Sequence, residues 1–131
     1  VPSLNALENV MLPLELAGHP NARDSARDII EKVGLKERWS HYPAQLSGGE
    51  KQRVAVARAF AAAPAVLFAD EPTGNLDSRT GANIMSLMFE LNRNSATTLV
   101  LVTHDMNLAE QCDRVLELDA GRLDRDRRSA A

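Results

Sequence analysis

The chain has 131 residues, 44% hydrophobic and 25% charged, with a formal net charge of −3. That is the composition of one globular domain with a modest core, and its mildly acidic balance marks no nucleic-acid binder. No apolar run approaches the roughly 18 residues of a membrane-spanning helix, and Cys112, with no second cysteine to pair with, reads as buried filler.

The chain opens on Val1-Pro2-Ser3-Leu4 rather than Met, as the middle of a longer protein would. Leu4, Leu7, Val10, Met11, Leu14 and Leu16 recur at helical spacing, with Asn5 as a cap and Pro13 expected to kink or end the helix. After the turn Gly18-His19-Pro20-Asn21, residues 22–33 form an amphipathic pattern. Ala22, Ala26, Ile29, Ile30 and Val33 lie on one face, and Gly34 is the stop. A short helical turn at 35–39 gives way to Tyr42-Pro43. The next helix starts after Ser47 and runs to about Ala62, with Val54, Ala57, Phe60 and Ala61 on one face.

From residue 64 the pattern changes. Val66-Leu67-Phe68-Ala69 suits a strand buried on both faces and ends in Asp70-Glu71-Pro72. Asp77 caps a helix at about 78–93, with Ile84, Leu87, Met88 and Leu91 inward. Residues 98–102 form a second buried strand ending in Thr103-His104-Asp105. A short helix at 106–110 and a third strand at 114–118 follow, and the arginine-rich tail 122–128 reads as a frayed, solvated end. Strands alternating with helices predict an α/β fold with a largely parallel sheet.

Four stretches carry chemistry. Ser47-Gly48-Gly49-Glu50 is a helix N-terminus whose hydroxyl caps and whose glycines let an anion approach free N–H groups. Asp70 and Glu71 follow a buried strand directly, where open α/β sheets bind ligands. Asp70 is placed to hold Mg²⁺, and Glu71 to polarise an attacking water as a general base. Asp77 lies after Thr73-Gly74-Asn75-Leu76, and His104 follows the matching end of a second strand, where an imidazole can steady phosphate charge. His19 and His41 lack such context and read as structural.

The ordered set Leu46-Ser47-Gly48-Gly49-Glu50, Val66 to Glu71, Asn75-Leu76-Asp77 and Thr103-His104-Asp105 resembles the nucleotide-binding domain of ATP-binding-cassette (ABC) proteins, across almost the whole chain. In that family these are the signature, Walker B, D-loop and switch histidine. The resemblance implies a P-loop NTPase-like parallel sheet with a helical subdomain: residues 1–63 would be the helical part with the signature helix, and 64–131 the C-terminal part of the core. It implies ATP and Mg²⁺ as cofactors. Ser47, Gly48, Gly49 and Glu50 would meet the γ-phosphate of ATP held by a second nucleotide-binding domain, in a homodimer. Asp70 would serve Mg²⁺, Glu71 would be the base, Asp77 would cross the interface, and His104 would contact the γ-phosphate. Transmembrane permease subunits would be the other partners, at the cytoplasmic face of the inner membrane. The wording of residues 4–10 and 71–77 is similar to the branch of lipoprotein-releasing and macrolide-export ATPases.

The chain has no G-x-x-x-x-G-K-[ST] phosphate loop, since none of Lys32, Lys36 and Lys51 follows a glycine. It therefore resembles the C-terminal half or so of a cassette, and by itself is expected to be inactive. The resemblance also leads us to expect the phosphate-loop strand between the two strands that end in Asp70 and Val102. Without it those strands would lack a shared neighbour, and the chain would be poorly stable or associate through open edges. A chromosome-maintenance cassette would place coiled coils before the signature. Here Pro13, Pro20 and Pro43 break the region and no heptads run through it. A non-enzymatic remnant is the other alternative.

Overall fold

Asn5 opens the first helix of the computed structural model, which describes residues 1–129. Helix α1 spans Ala6–Leu16. The Asn5 side chain accepts the Glu8 N–H at 2.9 Å, and the Glu8 carboxylate accepts the Asn5 N–H at 3.0 Å. Two N–H groups left over in a first helical turn are thereby satisfied reciprocally. Two more, on Ala6 and Leu7, donate to the carbonyls of His41 and Trp39 at 2.8 and 2.9 Å. Helix α2 is Ala22–Lys32 and helix α3 is Gly48–Ala61. Between them lie short 3₁₀ turns at Lys36–Arg38 and Pro43–Gln45. Arg53 Nη1 donates to the Val33 carbonyl at 2.8 Å, which fastens α3 to the end of α2.

Of the two outcomes expected at Pro13, a kink or an end, the end does not occur: α1 runs through it. Leu7, Val10 and Leu14, on both sides of it, are all buried at 0–1% exposure. The helix loses one backbone bond at the proline, and packing of that apolar face outweighs the loss. Leu16, one turn further, is 81% exposed and contributes nothing to the core.

Helix α4, Ser78–Arg93, joins two parallel strands, β1 (Val66–Asp70) and β2 (Thr98–Val102). One apolar cluster draws Val10 from α1, Ile30 from α2, Ala57 and Phe60 from α3, and Ile84 and Met88 from α4. Leu67, Ala69, Leu99 and Leu101 pack against it from the strands. Ile84 is 0% exposed. Truncating it with Ile84→Ala should cost about 3 kcal/mol in a denaturant titration, because the surrounding helices cannot collapse fully into the space left. A loss below about 1 kcal/mol would show that this cluster is not close-packed.

Strands β1 and β2 are direct neighbours, in register from Val66↔Thr98 to Asp70↔Val102. The expectation of a strand between them is thus corrected: the backbone groups facing each other across this pair already satisfy one another. The expectation of burial on both faces is also corrected. Val66, Phe68, Val100 and Val102 are 47%, 73%, 37% and 51% exposed, and only the alternate residues face the helices.

After the short helix α5 (Met106–Ala109), strands β3 (Arg114–Asp119) and β4 (Arg122–Arg128) form an antiparallel pair. The third expected strand therefore lies in a separate two-stranded sheet rather than in the parallel one. The tail is not frayed. Ala120 and Gly121, both at positive φ (47° and 76°), make the tight two-residue turn that matches strand twist. Arg114 then grips Asp126 with two bonds of 2.9 and 2.7 Å, and Arg127 reaches Glu110 at 2.6 Å and Glu117 at 3.3 Å. Cys112 is half-buried rather than buried, and burial pushes its thiol pKa up.

Candidate functional site

The site is assembled from two helix starts and two strand ends. Ser47 adopts extended backbone before α3. Its Oγ accepts the Glu50 N–H at 3.1 Å, and Glu50 Oε1 accepts the Ser47 N–H at 2.9 Å. Glu50 Oε2 faces Arg38 Nε at 3.3 Å. Both oxygens of this carboxylate are thus engaged within the chain, so Glu50 holds the turn in shape. The Ser47 N–H bond, helped by the Ser47 hydroxyl and by Arg38, holds the Glu50 carboxyl below its ordinary range. Ser47 and Gly48 are exposed on the tip.

Asp77 caps α4 in the same manner, its Oδ2 accepting the Thr80 N–H at 3.1 Å. The Thr80 side chain and then its N–H hold the Asp77 carboxyl below the usual range. For both residues the folded pKa is depressed. Their contribution to stability is therefore present above the unfolded carboxylate value and lost as pH falls through the lower folded value. An acid titration of stability should accordingly show a loss below about pH 4 that is shallower in Asp77→Asn and in Glu50→Gln. An unchanged acid limb in both variants would rule out this source.

Asp70 ends β1 and is exposed beside Val102 of β2. Glu71 follows at φ 45°, a left-handed conformation that costs a non-glycine residue on the order of 1–3 kcal/mol. The surroundings impose it. The Glu71 N–H donates to the Val102 carbonyl at 2.9 Å, continuing the β1–β2 ladder by one bond, and the Glu71 carbonyl accepts the Gly74 N–H at 3.1 Å. This twist turns the Glu71 carboxylate across to the end of β2. There Oε1 accepts the His104 main-chain N–H at 3.1 Å and meets His104 Nδ1 at 2.6 Å. An ionised carboxylate only accepts, so Nδ1 carries the proton in this contact. Nε2 stays on an imidazole that is 91% exposed. The Thr103 hydroxyl accepts the Asp105 N–H at 3.0 Å, and Asp105 caps α5 by accepting the Asn107 N–H at 2.8 Å, which shapes the His104 turn.

The structure therefore brings Glu71 and His104 into contact and sets Asp70 at the same sheet end. The Ser47 turn is tied to this end through Gln52, whose Nε2 donates to the Pro72 carbonyl at 2.6 Å. Sequence reasoning passed over Gln52, Arg38 and Thr80. Thr80 could have been noticed as the third residue of a helix capped by Asp77, whereas the other two act through contacts distant in sequence. Among the described residues no three His, Cys, Asp or Glu side chains converge to hold a metal. One exposed carboxylate such as Asp70 suits a Mg²⁺ ion that takes its remaining ligands from phosphate and water.

A parallel strand pair ending in Asp-Glu and Thr-His, beside a helix capped by Ser-Gly-Gly-Glu, defines a nucleotide-binding cassette. The chain belongs to the ABC transporter family, whose sequence profile matches residues 1–74, more than half of it. It is 58% identical over 125 residues to the uncharacterised ABC transporter ATP-binding protein YbbA of Escherichia coli K12, covering 94% of this chain and 55% of that one. It is 54% identical, with the same coverage, to the lipoprotein-releasing system ATP-binding protein LolD of Legionella pneumophila strain Paris. The chain thus spans about half the length of the curated relatives it matches. The fold superposes on the ATP-binding cassette MJ0796, solved as a dimer in a post-hydrolysis state with ADP and Pi. The TM-score is 0.80 at 42% identity, covering 100% of this chain and 59% of that one. The α/β class and the lipoprotein-release branch both stand. No helix among the described residues is long and apolar enough to cross a membrane.

Proposed function

We propose that this sequence is part of the ATP-binding subunit of an ABC transporter, one that hydrolyses Mg-ATP at a dimer interface to drive export or lipoprotein-related transport. The observation that carries this reading is the Glu71 carboxylate, turned by a left-handed backbone onto His104 at the ends of adjacent strands. In that role Glu71 is the general base and His104 steadies γ-phosphate charge. Asp70 holds Mg²⁺, which neutralises phosphate charge when bound. Gly48 and Gly49 offer free helix N–H groups, and Ser47 its exposed hydroxyl, to the phosphate held by a second copy, with Asp77 beside them. Glu50 acts behind them, by fixing the cap.

Membrane subunits are the other partners, and they would place the protein at the cytoplasmic face of the inner membrane. Trp39, 37% exposed under the guanidinium groups of Arg27 and Arg23 at 5.3 and 6.0 Å, and Tyr42, 46% exposed, support such a surface. Aromatic and arginine side chains are the ones enriched where proteins dock. The test is Mg-ATP turnover by the native protein that carries this sequence, with light scattering to follow ATP-dependent dimerisation. Turnover with dimerisation is expected. A protein that binds ATP yet neither dimerises nor hydrolyses it would overturn the proposal.

A further inference from the structure

The first turns of α3 and α4 abut with only a glycine's clearance. A Cβ placed on Gly49 would lie 2.8 Å from Thr80 Cγ2, closer than carbon atoms approach, while one on Gly48 would meet Leu76 Cδ2 at an ordinary 3.6 Å. Thr80 also donates its N–H to Asp77 Oδ2 at 3.1 Å. One residue therefore touches both the glycine turn and the acidic cap, two groups far apart in sequence. We propose that Thr80 is a positioning residue that seats the Ser47-Gly48-Gly49 turn against Asp77, so that both are presented to a partner subunit at one spacing. The inference rests on the reading above that these groups act across an interface.

The two branches of the threonine side chain divide the work. The Cγ2 methyl fills the space that the missing side chain of Gly49 leaves, and it sets how closely the helix starts approach. The hydroxyl branch lies on the Asp77 side. A neighbouring tie, Gln52 to the Pro72 carbonyl, holds α3 to the same segment one turn further along. The 72–80 stretch and the start of α3 thus form one packed unit. Nothing in this contact touches the chain's own strand-end groups Asp70, Glu71 and His104, so disturbing it should spare nucleotide binding and impair what happens across the interface.

The experiment is a compensation series in the native protein: Gly49→Ala, Gly49→Ala with Thr80→Ser, and wild type. Serine keeps the hydroxyl and removes the methyl that an alanine at 49 would strike. Gly49→Ala should lower kcat roughly a hundredfold with the KM for ATP little changed, the usual cost of about 1 Å of misplacement. Adding Thr80→Ser should recover at least about tenfold of that loss. If Gly49→Ala alone does not fold, the double variant should fold and turn over ATP. A double variant no more active than Gly49→Ala overturns the proposal. So does a restored melting temperature without restored kcat, since Thr80 would then be packing only. Wild-type protein that neither dimerises nor hydrolyses ATP would instead sink the reading of the whole site.

Discussion

Replacing Glu71 by glutamine is expected to lower Mg-ATP turnover of the native protein by at least about a hundredfold, the range that a positioned general base contributes. The substitution is conservative where it matters for folding. Glutamine keeps the volume, keeps an oxygen to accept the His104 N–H now bonded at 3.1 Å, and inherits the same left-handed backbone. What it loses is the capacity to take a proton from water. Nucleotide affinity should therefore persist, and the ATP-bound dimer should accumulate because the step that dissolves it is blocked. Kinetics and light scattering on one preparation read both effects. Turnover within about tenfold of wild type would mean that Glu71 is not the base. His104→Ala makes a useful companion. It removes the imidazole contact at 2.6 Å but leaves the backbone bond, so it separates the ring's contribution from that of the turn.

The isolated 131-residue chain is expected to self-associate and to show no ATP turnover. The outer face of the β1–β2 pair carries Val66, Phe68, Val100 and Val102, with Phe68 73% exposed. Side chains of this size gain about 2 kcal/mol each when covered. A contiguous apolar face on a parallel pair is unusual, since parallel sheets are normally covered on both sides. The outward-facing backbone edges of a two-stranded sheet add donors and acceptors ready to pair. Sedimentation at about 10 μM should show dimers and larger species, and Phe68→Glu should shift them toward monomer. A wild-type chain that is monomeric and melts cooperatively would remove the basis for this expectation. Such a result would mean that the helical cluster built around Ile84, Ala57 and Val10 is enough to hold the fold.

The elements that could be read in advance share one property: their cause lies within a few residues. Asn5, Ser47 and Asp77 cap their helices because a side-chain oxygen reaches the N–H three positions on. The inward faces of α2 and α4 follow from helical spacing, and Ala26, Ile30, Ile84 and Met88 are buried as that spacing requires. Where two causes competed, local reasoning failed. Proline chemistry argued for a kink or an end at Pro13, and tertiary packing of Leu7, Val10 and Leu14 carried the helix on to Leu16 without the end. A run of charges argued for a frayed tail. Asp126 and Arg127 of that run instead lie diagonally across from Arg114 and Glu117 of the neighbouring strand, and the Arg114–Asp126 and Arg127–Glu117 pairs line the hairpin.

By itself the sequence determined the family, the order of the helices and of the first three strands, and the residue types at the candidate site; the last strand, β4, it did not. Hydroxyls, glycines and carboxylates announce their chemistry by identity and by position after a strand or before a helix. Only the tertiary structure decided which of them meet. The direct pairing of β1 with β2 places residue 71 beside residue 104, and the left-handed backbone of Glu71 aims its carboxylate there. The abutment of two helix starts makes Thr80 the neighbour of both Gly49 and Asp77. The reason is physical: capping and periodicity are short-range and leave a trace along the chain. Strand adjacency and close packing depend on surfaces brought together across thirty or so residues, and no local pattern records which surface will be opposite.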